Sequence, residues 1–303
     1  MLNRLLANAL PYMPQKLIWI FSKRYIAGET IDDGIKACRK LNQQGIEVTV
    51  DLLGEFIGTI EQAEENKKKY IEIIERFIKE GIVGNFSLKP TMFGLLIDKE
   101  ICFENIEEVV RYAAEKKSFI RIDMEDSQCV DVELEIFRKL QQKYSTHVGL
   151  VLQAYMRRTK NDLLNMSNIQ VKENPLNFRL CKGIYVEPKH IAFKEFEEVR
   201  EHYLDDLKYM FEHNMYVGIA THDKYLVEQA MNIIKEENID KTKYEFQMLY
   251  GVTPELRSSI VKQGHKMRVY VPFGKDWFGY STRRLKENPK MASFIVKALF
   301  FRG

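Results

Sequence analysis

The sequence predicts an α/β protein in which eight parallel strands, each followed by a helix, close into a TIM-like barrel. From Gly45 onward, short runs of β-forming residues alternate with amphipathic helical patterns. The length of 303 residues accommodates such a barrel, which needs roughly 250 residues, together with an N-terminal helical extension. No strand is followed by a Gly-x-Gly-x-x-Gly motif and there is no Walker loop, so an open nucleotide-binding sheet lacks its usual signature.

The predicted strands cover residues 46–52, 85–89, 119–123, 148–153, 178–182, 217–220, 244–249 and 268–271. Helical patterns lie between them, for example over residues 61–80, where one apolar stripe comprises Tyr70, Ile73, Ile74, Phe77 and Ile78. A second helix is predicted over residues 189–213. In a barrel of this kind, functional side chains gather where the strands end at the carboxyl face. The polar residues at those ends are therefore the candidates for a site.

The stretch from Met267 to Pro289 predicts a strand, a turn and a final helix. Pro272 and Gly274 end the strand, and a helix begins at Asp276 and stops at Asn288-Pro289. Four residues of this helix share one face: Tyr280, Arg283, Arg284 and Glu287. Two guanidinium groups beside a tyrosine can grip a carboxylate. The alternative is a solvated face with i,i+4 charge pairs.

This stretch, YVPFGKDWFGYSTRRLKENP, resembles the C-terminal signature of the proline dehydrogenase family. Members of that family close a flavin-bearing barrel with a Tyr-x-x-Arg-Arg helix that lies over the substrate. The resemblance implies that this helix covers the active site. It also implies that L-proline is bound by Lys89, Tyr270, Tyr280, Leu249, Arg283 and Arg284.

Other strand ends carry further parts of the resemblance. Ile120-Arg-Ile-Asp-Met-Glu places a carboxylate, Asp123, beside Lys89 of the neighbouring strand. A charge pair at a partly buried mouth costs desolvation energy, so it is typical of a functional site. Gln-Ala-Tyr at residue 153, Arg-Leu-x-Lys-Gly at 179 and Ala-Thr-His at 220 are similar to family motifs. Ile184 stands where many members have Ala, and Asp223 where Asn is commoner, so no role is carried onto Asp223.

The resemblance implies catalytic roles for Asp123 and Arg179. It further implies that FAD is held by Met124, Gln153, Arg179, Lys182, Gly183, Ile184, Thr221 and His222. The expected reaction is the oxidation of L-proline to Δ1-pyrroline-5-carboxylate, with a hydride leaving C5 for the flavin and the electrons then passing to a quinone. Two alternatives stay open: another flavin barrel of the methylenetetrahydrofolate reductase type, and a non-catalytic barrel that serves as a binding module.

Composition and residue spacing bear on nucleic-acid binding, metal binding and cellular compartment. A net charge of +3 gives no electrostatic argument for nucleic acid. The six histidines show no His-x-x-x-His spacing, so no metal is expected. Four scattered cysteines without CxxC spacing indicate reduced thiols and a cytoplasmic protein.

Two parts of the chain are predicted, an N-terminal helical arm over residues 1–44 and an FAD-binding catalytic barrel over residues 45–303. Apolar runs in the arm are too short to span a bilayer. The arm is expected to pack over the barrel. The alternative is contact with the inner face of the membrane through Leu17, Ile18, Trp19 and Phe21, which basic residues flank.

Overall fold

Eight parallel strands form a closed barrel in sequential order, so the predicted fold class is confirmed. The computed structural model describes residues 18–19, 22–170 and 174–287, with side chains described as far as Thr282. The strands are β1 Glu47–Leu52, β2 Gly84–Leu88, β3 Ile120–Ile122, β4 Val148–Gln153, β5 Asn177–Cys181, β6 Tyr216–Ala220, β7 Tyr244–Leu249 and β8 Met267–Phe273. Each lies within a few residues of its predicted position.

Helices surround the barrel, and among those with described bounds α1 precedes it. The helices are α1 Ile31–Asn42, α2 Ile60–Lys79, α3 Lys99–Glu115, α4 Val130–Tyr144, α5 Thr159–Ser167, α6 Phe196–Glu212, α7 Lys224–Glu236, α8 Pro254–Lys262 and α9 Trp277–Glu287. Strand β1 closes the barrel against β8 over six paired residues, from Glu47 opposite Arg268 to Leu52 opposite Phe273. This register sets Asp51 between Ser87 of β2 and Pro272 of β8.

Helix α2 shows how local sequence fixes an element. It begins with a capping box, in which the Thr59 hydroxyl accepts from the Gln62 N–H and the Gln62 side chain accepts from the Thr59 N–H. Its buried face includes Tyr70 and Phe77, as the apolar stripe predicts. Ile78 was assigned to the same stripe but is 39% exposed, because it falls at the edge of that face.

Two predicted boundaries were wrong. The helix expected over residues 189–213 begins only at Phe196. Upstream, the carboxylate of Glu187 accepts hydrogen bonds from the backbone N–H and hydroxyl of Ser127, which holds this segment as a loop. Strand β8 continues past Pro272 to Phe273. The Pro272 carbonyl accepts from the Ala27 N–H, and Leu53 N–H donates to the Phe273 carbonyl, so the ladder tolerates the missing proline donor.

Helix α1 lies within the predicted N-terminal arm, yet its Ile35, Cys38 and Leu41 belong to the main hydrophobic core. The division of the chain at residue 44 stays a prediction. All four cysteines are free; Cys181 is half-buried and the other three are buried. Across the part of the chain that the structure describes, no helix combines the length and apolar character needed to cross a bilayer.

Candidate active site

Four side chains predicted for the site meet: Lys89 and Asp123 directly follow β2 and β3, while Arg179 and Tyr270 lie in the middle of β5 and β8. Asp123 accepts from Arg179 Nη1 at 2.9 Å through Oδ1 and from the Tyr270 hydroxyl at 2.9 Å through Oδ2. Lys89 Nζ lies 3.8 Å from Asp123 Oδ2. Lys89, Asp123 and Arg179 are each at most 9% exposed, and Tyr270 is half-buried. The charged groups are therefore largely removed from water and stabilise one another in that position.

Sequence reasoning missed the main partner of Lys89. Asp51 Oδ1, at the end of β1, lies 2.8 Å from Lys89 Nζ, a full ångström closer than Asp123. Burial raises the pKa of Asp51 to about 6, although Lys89 opposes the shift. Burial acts to lower the pKa of Lys89, but Asp51 and Asp123 outweigh it and raise the pKa above its usual value. A signal was present, because Asp51 follows the apolar run of β1 just as Asp123 follows that of β3.

Arg179 is fixed on several sides inside the barrel. Its Nε donates to Gln247 Oε1 at 2.6 Å, its Nη1 also reaches the Ser87 hydroxyl at 3.2 Å, and its guanidinium lies 5.1 Å from the centre of the Tyr270 ring. Its guanidinium is thus held in one orientation beside Asp123. The tyrosine keeps its proton, since burial and the nearby carboxylates raise the pKa of Tyr270 well above its usual value.

The predicted cofactor residues on β5 lie at the same face of the barrel. Lys182 Nζ is 3.4 Å from Asp223, which Arg200 also binds through Nε and Nη2 at 3.0 and 2.8 Å. Asp223, to which the sequence assigned no role, therefore organises two cations and caps α7 through the Tyr225 N–H.

Gly183 follows Lys182 with φ +109°, and a Cβ there would lie 2.1 Å from the ring of Tyr155. Only glycine fits this backbone. The adjoining apolar side chains of Ile184 and Val186 are exposed. Exposed apolar surface next to cations fits the chemistry of FAD, which combines an aromatic ring system with a diphosphate.

Gln153 is buried behind β3, where its amide nitrogen donates to the Glu125 carbonyl at 2.8 Å and to the Met124 carbonyl at 3.3 Å. The structure thus brings two predicted cofactor residues, Gln153 and Met124, into contact. Glu125 accepts from the Thr91 N–H and hydroxyl, and burial raises its pKa to about 7.

His222 joins the ends of β6 and β7. Its Nε2 accepts a hydrogen bond from the Leu249 N–H at 2.8 Å, which requires that this nitrogen carry no proton. Neighbouring Thr221 accepts from the Asp223 N–H through its hydroxyl. The predicted cofactor residue His222 and the predicted substrate residue Leu249 are therefore adjacent.

A cavity of about 900 Å³ borders the charged cluster at Lys89, and its walls also include Leu52, Met92, Phe278 and Tyr280. Tyr280 is 9% exposed. Arg283 and Arg284 lie on α9, whose backbone is helical as predicted, but their side chains and that of Glu287 fall outside the described residues. Among the described side chains, no group of three or more His, Cys, Asp or Glu is arranged to hold a metal ion.

Comparison with known proteins identifies one family. The proline dehydrogenase family model matches residues 34–297. "Proline dehydrogenase 2" of Bacillus subtilis (strain 168) is 38% identical over 276 residues, which are 91% of this chain and 89% of that protein. "Proline dehydrogenase" of Deinococcus radiodurans is 33% identical over 294 residues, 95% of this chain and 92% of that protein.

A solved structure shares the barrel. The crystal structure of proline utilization A from Bdellovibrio bacteriovorus, inactivated by N-propargylglycine, aligns with a TM-score of 0.83 and 26% identity. The alignment covers 92% of this chain but 34% of that longer chain. These matches confirm the family resemblance and the barrel fold.

Proposed function

The chain belongs to the proline dehydrogenase family, and from this premise we propose that it oxidises L-proline to Δ1-pyrroline-5-carboxylate with FAD and passes the electrons to a quinone. The observation that supports this most directly is the buried cluster of Asp51, Lys89, Asp123, Arg179 and Tyr270, which borders a cavity at Lys89. It supplies a protonated amine at the cavity wall and holds it in place with two carboxylates.

Lys89 is the first contact for the substrate carboxylate. An ammonium group has three N–H donors, and Asp51 accepts one of them. Because Lys89 borders the cavity, another donor can bind a carboxylate that enters there. Arg283 and Arg284, which follow Tyr280 on α9, complete the proposed grip. Leu249, Tyr270 and Tyr280 are the proposed walls around the pyrrolidine ring.

Asp123, which we propose to be catalytic together with Arg179, orients the cluster. Its two oxygens hold the Arg179 guanidinium and the Tyr270 hydroxyl at fixed distances. Arg179 adds a positive charge that favours negative charge developing on a neighbouring group. The nitrogen of proline must be neutral before a hydride can leave C5, and its proton passes to water or to Asp123.

FAD, when bound, supplies the two-electron acceptor for the hydride from proline C5. The residues that we propose to hold it are Met124, Gln153, Arg179, Lys182, Gly183, Ile184, Thr221 and His222. Of the alternatives, a folate reductase would need a site for a nicotinamide donor, whereas the intact charged cluster favours a small amino acid and argues against a non-catalytic barrel.

An anaerobic absorbance experiment tests the proposal. The purified protein, reconstituted with FAD where necessary, is expected to be yellow and to bleach on addition of L-proline, and a soluble quinone should then restore the colour. A protein that does not bind FAD, or that binds it and stays yellow with L-proline, would overturn the assignment. If oxygen restores the colour but a quinone does not, the proposed quinone acceptor is wrong, while the proposed oxidation of L-proline is unaffected.

We further propose a cytoplasmic protein that touches the inner face of the membrane. Ile18 is fully buried and Trp19 packs against Trp277, so both side chains are engaged within the protein. Any such contact must use other residues, and Leu17 and Phe21 lie outside the described residues. Pelleting with anionic vesicles, with and without deletion of residues 1–17, measures it; equal pelleting of both forms would remove that segment from the contact.

A further inference from the structure

The chain before α1 touches the start of α9 at several points. Residues 18–19 and 22–30, here called the strap, cross the carboxyl face of the barrel before α1 begins. Strap residues Ile18, Tyr25 and Ile26 form a small hydrophobic cluster with Leu53, Trp277 and Tyr280, separate from the main core. Two of those partners, Trp277 and Tyr280, belong to the helix that carries the predicted substrate residues.

Backbone hydrogen bonds tie the strap to the turn between β8 and α9. The Ala27 N–H donates to the Pro272 carbonyl at 2.9 Å, and the Gly274 N–H donates to the Gly28 carbonyl at 3.0 Å. These bonds bracket Phe273, the last residue of β8. The direction in which the chain leaves the barrel toward α9 is therefore fixed partly by residues some 245 positions earlier in the sequence.

Trp277, the first residue of α9, is held on two sides by the strap. Its indole N–H donates to Glu29 Oε1 at 2.8 Å, and its ring lies 4.6 Å from that of Trp19, centre to centre. Trp277 is 7% exposed, so its N–H would lose a partner inside the protein if Glu29 were removed. Glu29 also borders the cavity above Lys89.

The strap crosses a second strand end as well. Arg24 Nε donates to the Gly251 carbonyl at 3.2 Å. A Cβ on Gly251 would lie 1.7 Å from the Arg24 carbonyl oxygen, so this position after β7 must be glycine for the strap to pass. The strap thus contacts the loops after β7 and β8, and its course depends on the backbone of both.

We propose that Trp19 and Glu29 are positioning residues of the substrate site, which act through Trp277 to set the place of α9. The inference rests on the proposed function. A helix that is anchored at one end by one ring contact and one N–H hydrogen bond holds its later residues in a narrower range of positions, and substrate-binding groups act only within such a range. The strap is thereby part of the substrate site.

The test compares Trp19→Leu and Glu29→Leu with the conservative variant Glu29→Gln, which keeps an acceptor for the indole N–H. Tyr209→Leu is the matched control. It removes one ring of a stacked pair with His213, centres 3.8 Å apart, at the C-terminal end of α6 on the opposite face of the barrel. The loss of one aromatic pair predicts a rise in KM for L-proline of about fivefold with kcat nearly unchanged. Glu29→Gln should raise KM less than Glu29→Leu, because an acceptor remains and Glu29, unlike Asp51, is exposed, and Tyr209→Leu should stay near wild type.

Hydrogen exchange of the amides of residues 277–287 gives a readout that needs no turnover. Exchange there should speed up in Trp19→Leu and Glu29→Leu, and stay unchanged in Tyr209→Leu. Unchanged exchange in folded Trp19→Leu and Glu29→Leu, or an equal KM rise in Tyr209→Leu, would overturn the inference. If the wild-type protein does not oxidise L-proline, the proposed function is wrong, and the exchange measurement still decides whether the strap holds α9.

Discussion

Replacing Asp51 with Asn tests whether the buried partner of Lys89 controls substrate capture. The carboxylate oxygen is 2.8 Å from Lys89 Nζ, and Asp123 offers a second carboxylate at 3.8 Å. A screened Coulomb attraction falls by only about a quarter between these distances. Lys89 should therefore stay protonated in the variant, but its nitrogen should move toward Asp123 and away from the position that Asp51 sets.

The expected effect follows from the type of hydrogen bond that is lost. A bond to a charged acceptor contributes about 1.5 to 3 kcal/mol and a bond between neutral partners about 1, so Asn should weaken the hold on Lys89 by roughly 1.4 kcal/mol. That corresponds to about a tenfold rise in KM for L-proline. Asp51→Leu, which removes the acceptor altogether, should destabilise the fold by about 3 kcal/mol.

A double-mutant cycle with Lys89→Met separates this role from general damage. If Asp51 acts through Lys89, then Asp51→Asn should change KM in the wild-type background and leave it unchanged in the Lys89→Met background. In the Lys89→Met background, Asp51→Asn should raise the melting temperature, because Lys89→Met leaves a buried carboxylate without its cation. Equal, additive effects on KM in both backgrounds would refute the reasoning.

Three further predictions concern α9, the strap crossing and a buried acid. Arg283→Lys and Arg284→Lys should each lower kcat/KM for L-proline by about tenfold to a hundredfold, while a ring analogue without a carboxylate binds as before; equal losses for both ligands would make the arginines structural. Gly251→Ala should lower the melting temperature by several degrees, because its Cβ would lie 1.7 Å from the Arg24 carbonyl, and an unchanged melting curve would contradict the strap's course. Burial raises the pKa of Glu125 to about 7, so its contribution to stability is present below about pH 4 and is lost as the pH rises through 7. In urea unfolding, the free energy of unfolding of Glu125→Gln should therefore rise by about 2 kcal/mol relative to that of the wild type between pH 5 and pH 8.5. Parallel pH profiles of the two proteins would contradict this.

The strands could be predicted because each carries its own signal. Strand β4 is largely apolar and β7 alternates apolar with polar residues, and the limits of both matched the structure. Helix α6 begins seven residues later than predicted. Its upstream segment is amphipathic, but the contact of Glu187 with Ser127, 60 residues away, holds it as a loop. Periodicity within a segment carries no information about such a partner.

The residues of the candidate site were easier to predict than their pairing. Lys89 and Asp123 were chosen because they stand at strand ends, Arg179 and Tyr270 because the family resemblance implies them, and the four side chains do meet. The partner Asp51 was missed although it lies on β1, the strand next to β2. Two carboxylates, Asp51 and Asp123, stand on the strands either side of Lys89, and the sequence does not give the distances of 2.8 and 3.8 Å that make Asp51 the nearer partner.

A chain of hydrogen bonds inside the barrel connects a charge pair near its base with Arg179 in the candidate site. Arg268, near the base, donates through Nε to Glu245 Oε1 at 2.6 Å, and the same oxygen accepts from Gln247 Nε2 at 2.7 Å. Burial opposes ionisation of Glu245, but Arg268 prevails and lowers its pKa to about 2. An ionised carboxylate can only accept, so the amide of Gln247 has one orientation, with its oxygen toward Arg179.

The position of that amide also depends on a missing side chain. A Cβ on Gly218 would lie 2.4 Å from Gln247 Nε2, so this position of the neighbouring strand β6 must be glycine. Arg179 is thus oriented by Gln247 and, through it, by a charge pair at the far end of the barrel. The geometry around Asp123 is therefore a property of the whole barrel interior, and substitutions at its base should be felt at the site even though they touch no substrate.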